Sequence, residues 1–446
     1  METQVTLTMQ DQNVARILQL LDSSRTSVPQ AAQLLGCSER QVYRKLAAYR
    51  AEGVGAVPHG NRGRTPHNAL DPKLRLEVMA LVRSEAYRSF NTHHLAQMLA
   101  ENEGIRLSVS TLRRLRIEAG ASSPRKRRAP KAHPMRERKA HEGMMLQIDG
   151  SKHQWFGPDG GYCVLHWAVD DATSKVCGAV FREQEDCVGY MLLIGQIIRH
   201  HGIPLSLYAD RHSIFRPAAA DKLTLEQQLA GQQEPMSQFG RAMAQLGIQQ
   251  ITAHSPQAKG RVERSFATAQ DRLLQEMRLA GITTIEQANA FLPRFVERYN
   301  RSFAKPAADP EPVWRDAPSK DVIDAALCLR YERTADNANA VSFGGRKLVV
   351  AAPGRSYSRR KVQIQVTLDG QFSYHYKDEL IGHGPRADGQ LRTDETELAK
   401  LLPDQPPSPC EAPKTNKPTA PRYHIGTTPA ADHPWRKKAI VKRPRH

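Results

Sequence analysis

The chain predicts a multidomain protein: two N-terminal all-α helix-turn-helix units, an α/β core, a small C-terminal β-barrel and a disordered tail. Three observations predict it. Apolar residues recur at helical spacing, with capping signals, up to residue 121. From 143 to 302 short β-prone runs alternate with longer helical ones, and strand alternation returns around an Asp-Gly turn at 369–370. A chain of 446 residues also exceeds one ordinary core, and a stretch rich in Lys, Arg and Pro at 122–142 separates its first regions.

Residues 1–60 read as one helical domain. VARILQLL has helical periodicity, Ser27-Val-Pro-Gln30 opens a second helix with a capping box and an early proline, and Gly36 ends it. A second box, Ser38–Gln41, opens VYRKLAAYRAEG, where Val42 and Leu46 face a core and Arg40, Gln41, Arg44 and Lys45 point elsewhere. AAQLLGCSERQVYRKL thus resembles a helix-turn-helix whose second helix enters the major groove. A helical protein-interaction bundle is the plainer alternative. Residues 61–121 repeat the logic: Asp71-Pro72 starts a helix, and Ser110 stands as an N-cap before the exposed Arg113 and Arg114.

The segment 122–142 carries Arg125, Lys126, Arg127 and Arg128 and reads as a linker able to track phosphates. In 143–302, MLQIDGSKHQWF and YCVLHWAVDD form a hairpin across Gly157–Gly160. KVCGAVF, PLSLYAD and IQQITA add strands, with CVGYMLLIGQIIRHHG and SQFGRAMAQLG as intervening helices and two long helices closing the module. Residues 303–385 are a connector and a small β-barrel, in which Val362, Ile364 and Val366 share one face. Residues 386–446 are Pro-rich and basic, expected to be disordered, with Trp435 as a possible docking element.

A formal charge of +18 favours a polyanionic partner. No run reaches the roughly 18 apolar residues of a membrane span, and METQVTLTMQDQN has no signal-peptide pattern, so the cytosol is the expected compartment. The six cysteines (37, 163, 177, 187, 328, 410) show no zinc spacing, and Cys163 and Cys177 read as small buried hydrophobes. Without a GxxxxGK[ST] loop the chain itself is not expected to hydrolyse ATP, which leaves a separate helper ATPase open.

Three acids stand out. Asp149 ends MLQID, Asp210 ends SLYAD, and Glu263 ends SPQAKGRVE at the start of a helix. Taken singly, each has an ordinary role: a turn or cap for the aspartates, a surface ion pair for Glu263 worth under about 1 kcal/mol. In this order, however, residues 143–302 resemble the catalytic core of the retroviral-integrase superfamily, the DDE transposases with an RNase H-like fold. The layout over roughly 11–385 is similar to bacterial insertion-sequence transposases of the ISNCY group.

The resemblance implies a metal-dependent enzyme acting on double-stranded DNA as a homo-oligomer. Asp149 would bridge two Mg²⁺ ions (Mn²⁺ substituting), with Asp210 on one and Glu263 on the other. Water would first free a 3′-OH at an element's end, and that 3′-OH would then attack a target phosphodiester. Gln257, Lys259 and Arg261 are placed to touch DNA phosphates; Asp170 and Asp171 read as supporting, and His212 and His254 as ordinary hydrogen-bonding groups. Two departures from the family stand out. Fifty-two residues separate Asp210 from Glu263, longer than is usual, the excess lying near 213–236, and DRHSIF lacks the usual glycine after the second Asp. A DNA-binding regulator with an inert core and a nuclease that does not join strands remain the alternatives.

Overall fold

The computed structural model describes residues 7–59, 61, 69–121, 136–210, 212–215, 217, 236–252, 260–350 and 354–403. The chain forms two compact units, Met1–Ser84 with Ser110–Ser122, and Glu85–Val109 with Ser123–His446. The region 61–121, read as one domain, is thus divided between them.

In the first unit α1 (Met9–Asp22), α2 (Val28–Leu35) and α3 (Glu39–Glu52) enclose Leu18, Leu21, Ala31, Ala32, Val42 and Leu46. The Ser27 capping box forms with Gln30, and Gly36 takes the left-handed φ of +60° that turns the chain between α2 and α3. Ser38 then caps α3 by accepting from the Gln41 amide. α4 (Pro72–Arg83) starts at the Asp71 cap, and Arg83 Nε donates to Ala119 O beyond α6 (Val109–Glu118) at 2.9 Å. Ser110, expected as the cap of α6, lies inside that helix; its start falls within the usual one-to-two-residue tolerance.

The second unit is built on a five-stranded sheet of β1 (Leu146–His153), β2 (Cys163–Asp170), β3 (Val176–Arg182), β4 (Ser206–Ala209) and β5 (Gln249–Thr252), in the order β3-β2-β1-β4-β5. β1, β2 and β3 are antiparallel, whereas β4 runs parallel to β1 and β5 to β4. Alternation sorts the side chains. Leu146, Ile148, Leu207 and Ala209 pack with α7 (Cys187–His201) and α8 (Gln238–Gln245). Leu165, Trp167 and Val169 pack on the other face with α9 (Gly260–Leu279) and α10 (Ile285–Phe303). α5 (Thr92–Asn102) joins that side through charge: buried His94 Nε2 lies 2.9 Å from Glu276, which also takes Arg298, and Arg272 donates to Gln97 at 2.9 Å.

After α11 (Lys320–Ala326), the C-terminal strands are β6 (Leu329–Thr334), β7 (Ala340–Phe343), β8 (Arg346–Val349), β9 (Lys361–Val366), β10 (Gln371–Tyr376) and β11 (Glu379–Arg386). They correct the expected barrel. Among the described residues the sheet is open, in the order β11-β10-β9-β6, and β7 and β8 pair only with each other. The physical reason is coverage. The apolar face bearing Val362, Ile364, Phe372 and Tyr374 is buried against Phe343 and Leu348 of the hairpin and Leu398 and Leu402 of a terminal segment, so closure is not needed to hide it.

That segment corrects the second expectation, a disordered tail from 386. Residues 387–403 are folded, with α12 (Glu395–Lys400) capped by Asp394 and with Leu391, Leu398, Ala399 and Leu402 buried. Its apolar residues are few and spread among polar ones, which hid the pattern. Arg182 donates to Leu391 O, tying it to the core sheet. Residues 404–446, with Trp435, lie outside the described residues.

Leu398→Ala should therefore cost about 2–5 kcal/mol in denaturant unfolding; a change within about 0.5 kcal/mol would be the behaviour of an unpacked tail. A pH effect is also expected. Buried His166 has its pKa pushed down to about 4 from 6.5, by desolvation first, with Asp186 raising it and Arg182 lowering it. The fold therefore favours the neutral ring. Its contribution is complete above about pH 6.5 and is lost as pH falls through about 4, a change of about 3 kcal/mol. His166→Gln should flatten the stability-versus-pH slope in that window; an unchanged slope would exclude this origin.

Candidate active site

Asp149 lies on β1 and Asp210 immediately follows β4. The parallel pairing sets Leu146 beside Leu207 and Gln147 beside Tyr208. Continuing that register brings Asp149 opposite Asp210, on the sheet face shared with Gln147 and Tyr208. Ladder pairing stops at Gln147–Tyr208, so the acids sit where the two strands begin to part. Such a break between strands in an α/β sheet is a natural ligand crevice. Asp210 Oδ1 accepts the His212 amide at 3.0 Å, so one of its oxygens also performs the local turn role. Both aspartates are partly buried.

Glu263 is exposed on the first turn of α9. Two hydrogen bonds align that helix with β1. Val262 N donates to Gln147 Oε1 at 3.2 Å, and Gln270 Nε2 donates to Ser151 Oγ at 3.2 Å. Gln147, Asp149 and Ser151 share one strand face, while Glu263 and Gln270, seven residues apart, share one helix stripe. The stripe bearing Glu263 therefore runs along the line bearing Asp149. Trp167, cross-strand neighbour of Asp149, adds a third tie by donating to Ser265 at 2.8 Å. Among the described residues no three His, Cys, Asp or Glu side chains, these acids included, form a group that could hold a metal ion.

Around these acids lies a buried network. Gln147 Nε2 donates to Asp171 Oδ1 at 2.8 Å, Arg261 Nη1 donates to the same oxygen at 2.6 Å, and Arg136 also pairs with it. Arg261 further donates to Arg136 O at 2.6 Å, and the Arg136 guanidinium lies 5.6 Å from the Tyr208 ring centre.

This network takes in Arg261, expected from sequence to touch DNA phosphates. The Arg261 side chain is only 15% exposed and is committed to fully buried Asp171, whose charge needs a partner. The network corrects the end of the linker: 136–142 is docked, with Arg138 donating to Asp171 O and Ala172 O and Lys139 N to Asp171 Oδ2. Asp170, accepting from Gly143 N and Thr173 N, and Asp171 both have the expected supporting role. Gln147 and Arg136 were not singled out from sequence. An amide in an otherwise apolar strand was the only signal for the first, and a basic run concealed the second.

Arg40, Gln41, Arg44 and Lys45 are exposed on α3 around buried Val42 and Leu46, and Arg113 and Arg114 are exposed on α6. Arg125, Lys126, Arg127, Arg128, His254, Gln257 and Lys259 lie outside the described residues, as does most of the 213–236 insertion.

The chain is 34% identical over 419 residues to a putative transposase, y4bF, of Sinorhizobium fredii (strain NBRC 101917 / NGR234), covering 90% of each chain. It belongs to the bacterial insertion-sequence transposases. A second relative, the transposase for insertion sequence IS1202 of Streptococcus pneumoniae, is 31% identical, covering 82% of this chain and 84% of its own. Residues 14–75 of this transposase match a winged helix-turn-helix family model. Among solved structures, the catalytic core domain of BIV integrase is 21% identical, covering 33% of this chain and 79% of its own, at a TM-score of 0.22. Among the described residues no helix of the transposase is long and apolar enough to cross a membrane.

Gln147→Leu leaves the Val262 amide and Asp171 each short of a partner, a cost of about 1–3 kcal/mol. Hydrogen exchange should accelerate at the first turn of α9 while α10 keeps its protection; unchanged exchange at Val262 would remove Gln147 from its anchoring role.

Proposed function

We propose that this transposase binds the terminal repeats of its mobile element and carries out divalent-metal-dependent 3′-end cleavage and strand transfer, with Asp149, Asp210 and Glu263 as the catalytic acids. The observation that supports the reading is the parallel β1–β4 register, Leu146 beside Leu207 and Gln147 beside Tyr208, which continued by two residues would bring Asp149 opposite Asp210. The donor set fits a hard cation: two carboxylates on adjoining strands, with no thiol or imidazole in the trio. Asp149, Asp210 and Glu263 would hold Mg²⁺ or Mn²⁺. When bound, two such ions would stabilise the attacking and leaving oxygens of an in-line displacement.

The chain's own residues do the rest. Gln147 and Ser151 hold α9 along β1, which would limit the search Glu263 makes to meet the aspartates. In the first step water attacks a phosphodiester at the element's end, the bond to the 3′ oxygen breaks, and that oxygen leaves as a 3′-OH. In the second, this 3′-OH attacks a target phosphodiester and the displaced target strand leaves with its own 3′-OH. Neither step requires a covalent protein–DNA intermediate or ATP.

Arg40, Gln41, Arg44 and Lys45, all exposed on one helix, would enter the major groove, with Arg113 and Arg114 as a second contact set. The linker cations Arg125–Arg128, with Gln257 and Lys259, would follow phosphates. Two paired element ends call for at least two copies of the chain. Purified protein, Mg²⁺ or Mn²⁺, and labelled DNA carrying the element's ends provide the test. Asp149→Asn and Glu263→Gln should each reduce cleavage and joining by roughly a thousandfold or more while end binding persists. End binding by the wild type without cleavage in either metal would identify a regulator, and cleavage without joining a nuclease.

A further inference from the structure

The exposed side of α3 carries one group that phosphate binding does not call for. Val42 and Leu46 are buried and Tyr49 packs against the same core, whereas Tyr43 is 59% exposed. Among the described residues it is the only large apolar side chain that α3 turns to water. Its ring rests on no core residue and its hydroxyl has no hydrogen-bond partner there. A lone aromatic on a surface is commonplace, and it is the position of Tyr43 that gives it a role.

Tyr43 stands in the second turn of α3, in the half of a recognition helix that reaches base edges. Arg40 lies one turn before it and Arg44 directly after it, both exposed, so cations able to meet phosphate or guanine flank the ring. Exposed Glu39, also one turn before it, repels phosphate, which favours bases over backbone beside the ring. Ala47, one turn on, is too short to cover it. Among the base edges of the major groove the apolar group is the 5-methyl of thymine. The Ser38 cap fixes the start of α3, so a ring already exposed on this helix loses little freedom in meeting that methyl.

We propose that Tyr43 is a specificity-determining residue that reads thymine at the element's ends through its 5-methyl group. This rests on the proposed entry of α3 into the major groove, and deepens it. Phosphate contacts from Arg and Lys hold DNA of any sequence, whereas a ring against a methyl selects a base. The contact removes water from both apolar groups, so it needs the ring and not the hydroxyl.

The test uses the full chain at one salt concentration, with folding checked by the thermal midpoint. The probes are duplexes carrying the element's own ends, one unaltered and one with every thymine replaced by deoxyuridine, which removes the methyl and keeps the base pair. The wild type should bind the deoxyuridine duplex more weakly, by about fourfold for each methyl it buries. Tyr43→Ala should weaken binding to the thymine duplex by a similar factor and hold both duplexes nearly equally. Tyr43→Phe should behave as the wild type. Equal losses by Tyr43→Ala on the two duplexes would mark a backbone contact, and a loss by Tyr43→Phe as large as that of Tyr43→Ala would mark a hydroxyl contact; either overturns the proposal. A scrambled duplex separates the failures. If the wild type prefers the element's ends to it, and the thymine effect is the same with and without Tyr43, Tyr43 is excluded and end binding stands. If the wild type shows no such preference, the end-binding reading is wrong and Tyr43 falls with it.

Discussion

One buried amide holds the acidic end of the sheet to its helix. Gln147 stands two residues before Asp149, fully buried, accepting from Val262 N and donating to Asp171. A glutamate there would set a second negative charge against Asp171, and a leucine would satisfy neither partner. The amide alone offers an acceptor to the helix start and a donor to the carboxylate. Because Glu263 follows Val262, the same bond that begins α9 sets where the third acid stands.

Around that amide the chain spends some of its positive charge inward. Arg136 and Arg261 both pair with fully buried Asp171, and Arg138 and Lys139 close over the same turn. Removing one partner would leave an uncompensated charge in a site sealed from water, so the cluster acts as a unit. It fastens the segment entering β1, the end of β2 and the start of α9 together. The chain's large positive excess is thus not all available to a polyanion: part of it serves the fold beside the acidic site.

Much of the architecture was legible because it rests on local rules. The β1–β2 hairpin, the strands β4 and β5, and the caps at Ser27, Ser38 and Asp71 follow from alternation, turn residues and side-chain caps, and each formed where those signals stand. The barrel and the tail were misread for a shared reason. Leu391, Leu398 and Leu402 are too sparse to signal a core element, yet they cover the face of the very sheet that was expected to close on itself. Burial by a partner distant in sequence leaves no periodic trace in either segment.

The candidate site divides along the same line. Asp149, Asp210 and Glu263 were recognisable from residue type, order and the runs that precede them, and the basic helix-turn-helix from its caps and apolar spacing. Those are properties of short segments, which is why sequence by itself determined the family. Only the tertiary structure decided that Arg261 belongs to Asp171 and that Gln147 begins α9. Each of those depends on which strand lies next to which helix, and charge pairing and close approach across such distances are set by packing, which no local pattern encodes.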